Sequence, residues 1–568
     1  MRLGLATVLL ALTSGALSQH VVEFNVSKGL PGVHIGTGPY KARRDTYGQE
    51  LINSVAGGGY FTQVKIGTPP QTVTMLLDTG SSDAWVLSHE ADLCTDKEKQ
   101  AFYGTTCVDT YNPDDSSTHK TLRTEGFRIV YLDGSSASGE YITDDFTIGN
   151  ATIEALQMAY VTKAVRGTGI LGLGFSISEK AAIKYPNIMD QMANQGLIDC
   201  KAYSLYLNDR RSDSGSILFG GIDTDKFIGP LEILPLHRPD GANHTSFEVN
   251  FTSITLAYTN GSRLDVPTSI LDHPAPAVLD SGTTYSYLPE KMADAIYASV
   301  GAIYDPDLRL TVIDCKYLTS EPDLKLTFHF PPSAFITVPV WEMVLDILPP
   351  AYPSHPKFSR TCVFGIQSTD IFDGDDSEDE DEDDSVGAGA DDDDDDDEDD
   401  GKNNDNNNKK SNDKPSNNTN KTKRRQQQQQ QQPSSANFTL LGDTFLRSAY
   451  VVFDLTHYQV GMAQANLNSS TSTVVELSSS GTSLPRVTGV PTQQTTFTPT
   501  PTRRLDVPPD AEPSENAGAA GATVAGLSRG RQSLFGGGGG GGGGGGEALA
   551  VVVVTGFWVV LGGIFFSL

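Results

Sequence analysis

The chain has little basic charge: 41 Lys and Arg stand against 71 Asp and Glu, a formal net charge of -30. It lacks a Lys/Arg stripe, which argues against nucleic acid as a partner. About twenty of the acidic residues lie between Asp373 and Asp400, so the excess is local and the remainder is only mildly acidic. Histidines are few and scattered. His34, His89, His119, His237, His244 and His273 have no ligand spacing, so no metal site is expected. No Gly-x-Ser-x-Gly elbow sits between a strand and a helix, which removes that route to a serine nucleophile. The five cysteines are an odd number, so at least one is left without an intrachain partner.

What is there begins with Arg2, an apolar run Leu3 to Leu12 and small residues at Ala16-Leu17-Ser18, the layout of a secretory signal over residues 1–18. In the oxidising compartment this implies, Cys94 is expected to pair with Cys107 and Cys315 with Cys362. Cys200 is then left over, as a buried free thiol in preference to an intermolecular bond. Residues 19–44 end in Lys41-Ala42-Arg43-Arg44, a dibasic site, and read as a pro-segment. Its cations could lie across acidic groups in a cleft, or form an exposed basic loop. At the far end, residues 548–568 are an apolar segment with no basic flank after it. That fits a glycosylphosphatidylinositol (GPI) signal better than a single membrane span, with attachment near Gly536, Ser528 or Asn516.

From Gly59 to about Asp370, short runs rich in Val, Ile, Thr, Tyr and Phe are broken by Gly, Pro, Asn and Asp, which predicts an all-β body. Expected strands include Tyr60 to Ile66, Thr72 to Leu77, Tyr203 to Leu207, Ser216 to Phe219 and Leu324 to Phe330. A few short helices are expected, with Ser178 to Gln195 and Glu290 to Val300 the best patterns. Residues 371–436 are an acidic, Asn/Lys and poly-Gln insertion that cannot bury a core. It reads first as a solvated spacer, with an interaction tail for basic surfaces or an internal mimic regulating the cleft as the alternatives, and Lys423-Arg424-Arg425 offers a second dibasic cut. Strand-like sequence resumes at Asn437. The expected division is an N-terminal half over 45–230, a C-terminal half over 231–466, and a Ser/Thr/Pro/Gly-rich stalk over 467–547. Sequons such as Asn150, Asn243 and Asn468 fit a secreted glycoprotein.

The chemistry lies in an internal near-repeat: Leu76-Leu77-Asp78-Thr79-Gly80-Ser81-Ser82 and Val278-Leu279-Asp280-Ser281-Gly282-Thr283-Thr284. In each copy an apolar strand delivers an Asp, then a hydroxyl residue, then Gly80 or Gly282 at a tight turn. Two copies in the same apolar context point to a shared device. Two carboxylates face to face cannot both ionise cheaply, so the pair holds one proton. That state suits amide hydrolysis, with one carboxylate as base for a water and the other as acid for the scissile carbonyl.

These motifs resemble the pepsin-type aspartic protease family, and the anchored, dibasic-processed layout is similar to its fungal yapsin-like branch. The resemblance runs from Gly59 to about Asn466, less the insertion. It implies a bilobal all-β fold with one catalytic Asp, Asp78 or Asp280, from each lobe and a substrate groove between them. It implies an endopeptidase that needs no cofactor, acts on polypeptides as a monomer, and sits at the outer face of the plasma membrane or in the cell wall. By the same resemblance Tyr131 is the flap tyrosine, Trp85 its hydrogen-bond partner, and Ser81 and Thr283 hold the outer oxygens of the two aspartates. Ile170 to Gly174 and Leu440 to Asp443 match the elements that support each catalytic loop, and Cys315 with Cys362 resembles the family's C-terminal bridge. Leu132 departs from the family's usual small residue beside the flap tyrosine. Asp133 and Asp83 are extra carboxylates that could favour basic residues in the substrate, although Asp is equally a turn former. A binding protein that keeps this fold without catalysis is the rival reading.

Overall fold

The computed structural model describes residues 21–28, 59–372 and 438–492, leaving out 104, 123–125, 133, 213, 239–241, 259–268 and 349–351. The expected signal, the end of the pro-segment, the insertion beyond Phe372, the distal stalk and the apolar tail lie outside the described residues. Among the described residues no helix is long and apolar enough to cross a membrane.

The body is built of strands, as the period-2 patterning requires. Leu324–Phe330 buries Leu324, Leu326, Phe328 and Phe330 and leaves the residues between them half-buried. A sheet of 14 strands contains Gln71–Asp78, which ends on the first repeat. A sheet of 7 strands contains Ser269–Leu279, which ends on the second. The larger sheet also joins the two halves: Ala202–Tyr206 pairs with Ala449–Asp454, which pairs with Gln459–Ala465, which pairs with Phe227–Pro235. Leu440–Leu441 pairs in parallel with the strand leading to Asp280. The segment that follows the insertion therefore supplies interior strands to both sheets.

Cys94–Cys107 and Cys315–Cys362 are both bonded, and Cys200 is free and buried. The helix Glu290–Val300 forms over its expected span and stops at Gly301, whose φ of 68° is the left-handed conformation a helix C-terminus favours. The other expected helix is much shorter. Only Ile188–Asn194 is α-helical, after a 3-10 turn at Ser176–Ser178. Pro186 disfavours helical backbone at Tyr185, and the Asn187 side chain accepts from the Met189 and Asp190 amides, so the helix starts there.

Val22–Lys28, within the expected pro-segment, is a sheet strand between Ser214–Phe219 and Tyr60–Ile66, and the cations expected across a cleft or in a basic loop, Lys41, Arg43 and Arg44, lie outside the described residues. One boundary differs from expectation: the packed body continues past 466. Val474–Glu476 pairs with Gly221–Asp223, the Gly489 and Val490 amides donate to Gly229 and Phe227 carbonyls, and Leu477 and Leu484 are buried beside Ile222, Phe227 and Leu231. A few well-spaced apolar residues plus sheet hydrogen bonds suffice to seat this Ser/Thr-rich stretch, because the surface it covers is apolar.

Candidate active site

The two Asp-hydroxyl-Gly turns meet between the sheets. Each Asp accepts from the amide of its own glycine, Gly80 to Asp78 at 2.8 Å and Gly282 to Asp280 at 2.8 Å. The outer oxygens accept from hydroxyls: Ser81 donates to Asp78, and Thr283 to Asp280 at 2.6 Å. The turns are then cross-braced. The Thr79 hydroxyl donates to the Leu279 carbonyl at 2.9 Å and accepts from the Ser281 amide at 2.9 Å, while the Ser281 hydroxyl donates to Leu77 at 3.0 Å. The repeated hydroxyl residue is the signal that could have indicated this brace.

Both glycines are needed because the carboxylates are so close. A Cβ on Gly80 would lie 2.7 Å from the Asp280 Cγ, and one on Gly282 would lie 2.4 Å from Asp78 Oδ1. Asp78 and Asp280 are 5% and 8% exposed, so water screens them poorly. Burial, and then the facing Asp78, push the Asp280 carboxyl up to about 7. The pair can thus keep one proton as pH rises toward neutrality, which sets a base beside a protonated acid.

Each turn has its expected support. Asp78 pairs with Gly172, and the Leu173 amide donates to the Asp78 carbonyl at 2.8 Å. The Asp280 amide donates to Leu441 at 3.1 Å, and that of Asp443 to Thr283 at 2.8 Å. Above Asp78 a hairpin of Phe127–Val130 and Ser136–Ile148 carries Tyr131 near its tip. Trp85 Nε1 donates to the Tyr131 hydroxyl at 2.8 Å, which leaves that hydroxyl's own proton for another acceptor. Burial, and then Asp78, push the Tyr131 pKa far up, so the phenol stays neutral. Leu132 is 52% exposed at the tip, so about half of its surface faces solvent.

Asp83 corrects an expectation. It is 1% exposed and its oxygens are already bonded: Oδ1 accepts from the Tyr141 and Tyr185 hydroxyls at 2.9 and 2.8 Å, and Oδ2 from the Lys180 amide at 2.8 Å. Saturated in this way, it braces the lobe interior and does not face a substrate cation. Asp133 lies outside the described residues.

Two neighbours had no legible signal. Arg166 lies against the flap, its Nε donating to the Ser135 hydroxyl at 3.0 Å. Glu179, 2% exposed, accepts from the Tyr185 amide at 2.9 Å through Oε2, while Oε1 is buried without a hydrogen-bond partner. Burial pushes its carboxyl up to about 8.

Comparison with known proteins agrees with this geometry. The family described as eukaryotic aspartyl protease matches residues 59–374 and 411–465. The chain is 30% identical over 490 residues to a probable aspartic-type endopeptidase OPSB of Arthroderma benhamiae, covering 84% of this chain and 83% of that one. It is 28% identical over 518 residues to the opsB protein of Aspergillus fumigatus, covering 90% of each. Over 326 residues it is 33% identical to secreted aspartic protease 8 of Candida albicans, covering 57% of this chain and 71% of that one. The chain belongs to the eukaryotic aspartyl protease family, the pepsin-like aspartic-type endopeptidases.

Proposed function

We propose that Asp78 and Asp280 are the catalytic dyad of a secreted, surface-anchored endopeptidase. A water between them loses a proton to the ionised carboxylate and attacks the scissile carbonyl carbon, whose oxygen takes the proton from the other carboxyl. The resulting tetrahedral diol collapses as a proton passes to the amide nitrogen and the C–N bond breaks. Tyr131 and Trp85 position the flap over the peptide, and Ser81 and Thr283 keep the outer carboxylate oxygens bonded so that the inner pair faces the water. The observation that carries this reading is the meeting of the two turns, in which each glycine lies so close to the other turn's carboxylate that a Cβ there would clash. It leaves a non-catalytic binder with no use for the cross-braced pair.

Secretion is supported by the signal-like residues 1–18, and GPI anchoring by the apolar segment 548–568 behind its glycine run, in keeping with the yapsin-like layout. The similar protein of Candida albicans is named as a secreted aspartic protease. Maturation by a cut after Arg44 would sever the strand Val22–Lys28 from the body it pairs with. Preference for Lys or Arg in the substrate now rests on Asp133, since Asp83 is spent internally. The test is digestion of a denatured protein and a peptide library by the full-length chain between pH 3 and 8, against Asp280→Asn. Cleavage that disappears in the variant, and that falls as pH rises through about 7, is expected. Cleavage that persists in Asp280→Asn refutes the dyad, and cut sites without enrichment of basic residues refute the preference.

A further inference from the structure

We propose that Arg166 is a positioning residue for the flap, tying Tyr131 and Ser135 to the disulfide-tethered loop. The inference rests on the flap reading above. The flap tip is a turn in which the Tyr131 amide donates to the Ser135 carbonyl at 2.9 Å and the Gly134 amide to the Tyr131 carbonyl at 3.0 Å, with Gly134 at φ 77°. Val130 and Leu132 are 56% and 52% exposed, so the apolar packing at the tip comes from Tyr131, which lies against the buried cluster that includes Phe127, Ile129 and Ala137. Two side chains add specific contacts to that tyrosine. Trp85 bonds the hydroxyl end of Tyr131, and the Arg166 guanidinium carbon lies 5.1 Å from the centre of its ring. Arg166 Nε also donates to the Ser135 hydroxyl on the returning strand, and the neighbouring Val165 amide donates to Ser136. One residue thus grips both sides of the turn.

Arg166 can act as a grip because its own backbone is braced. It lies between the strand Ala151–Ala164, partner of the flap strand Ser136–Ile148, and Gly169–Gly172, which pairs with the strand that delivers Asp78. Next to it, the Gly167 carbonyl accepts from the Val108 amide at 2.8 Å, and a Cβ on Gly167 would lie 2.1 Å from the Thr106 carbonyl. Thr106 and Val108 flank Cys107, which is bonded to Cys94. The chain of contact therefore runs from the disulfide loop through Gly167 and Arg166 to the flap tyrosine. A guanidinium over an aromatic face combines charge attraction with a planar donor fork, and a Lys ammonium would keep the charge but not the fork.

The test compares Arg166→Ala, Arg166→Lys, Ser135→Ala and the Arg166→Ala/Ser135→Ala double variant in the full-length chain, measuring kcat and KM on one cleaved peptide together with Tm. Expected are a fall of about tenfold in kcat/KM for Arg166→Ala, carried mainly by kcat, with partial recovery in Arg166→Lys. The double variant should lose less than the product of the two single losses. If Arg166→Ala does not fold, Ser135→Ala decides, because it removes one hydroxyl and leaves the guanidinium in place. Unchanged kcat/KM in folded Arg166→Ala, or in Ser135→Ala when the former does not fold, overturns the proposal. So do strictly multiplicative losses in the double variant. Active wild type with unaffected variants defeats this inference alone, whereas inactive wild type defeats the dyad reading beneath it.

Discussion

Glu179→Gln should remove a large part of the protein's instability at neutral pH. An ordinary glutamate titrates near 4.5, and burial holds Glu179 at about 8, so between these values the folded chain keeps a proton that the unfolded chain has lost. Stability from this group is thus fully present below about pH 4.5 and falls as pH rises through about 8, by roughly 1.4 kcal/mol per pH unit. At pH 7.5 the accumulated loss is about 4 kcal/mol, a large share of the 5–15 kcal/mol typical of a folded protein. The groups that face Glu179 act in both directions: Asp83 and Asp190 favour its neutral form, and Lys184 its charged form. A glutamine keeps an oxygen for the Tyr185 amide and carries no charge. Urea unfolding of both proteins at pH 4 and pH 7.5 would measure the effect. The stability gap between variant and wild type should widen by about 4 kcal/mol in the variant's favour over that interval, because other titrating groups are shared and cancel. Parallel losses in the two proteins, with a constant offset, would refute the argument.

Leu477→Ala should cost about 2–5 kcal/mol, since Leu477 is 4% exposed in the cluster with Ile222 and Phe227, and a chain ending at Asn466 should melt below one ending at Thr492. Equal melting of the two chains would show that the segment adds nothing. Replacing Cys94 and Cys107 by serine together should lower stability by about 3 kcal/mol, the value for closing a short loop, read as a lower urea midpoint. The same double variant should also lower kcat/KM, because the loop braces Gly167 beside Arg166.

The paired Asp turns of the candidate site were legible because the motif is local and duplicated. Each Asp sits beside the hydroxyl and the glycine that its own turn requires, so a seven-residue window contains the whole device. The strands were legible for a similar reason, since period-2 alternation, as in Leu324–Phe330, is a local signal. What escaped depends on partners far away in the chain. Asp83 looks like a free carboxylate until Tyr141 and Tyr185, 58 and 102 positions on, are folded against it. The stretch after Asn466 has the composition of a stalk, and its few apolar residues matter only because Gly221–Asp223 and Phe227 present a surface for them. Arg166 belongs to no motif. Its role depends on where a hairpin tip some thirty residues upstream comes to rest.

The carboxyls of Asp280, at about 7, and Glu179, at about 8, are both raised first by burial. Asp83 lies five residues after Asp78, and its bonds to Tyr141, Tyr185 and Lys180 tie the segment carrying Glu179 to the one carrying Asp78. The Glu179 shift bears on the stability of the fold, whereas the Asp280 shift bears on the pair it forms with Asp78. Glu179→Gln should therefore leave the acidic limb of the pH–rate profile unchanged while extending the lifetime of the enzyme on the neutral side, where the dyad itself, and no longer the fold, sets the limit.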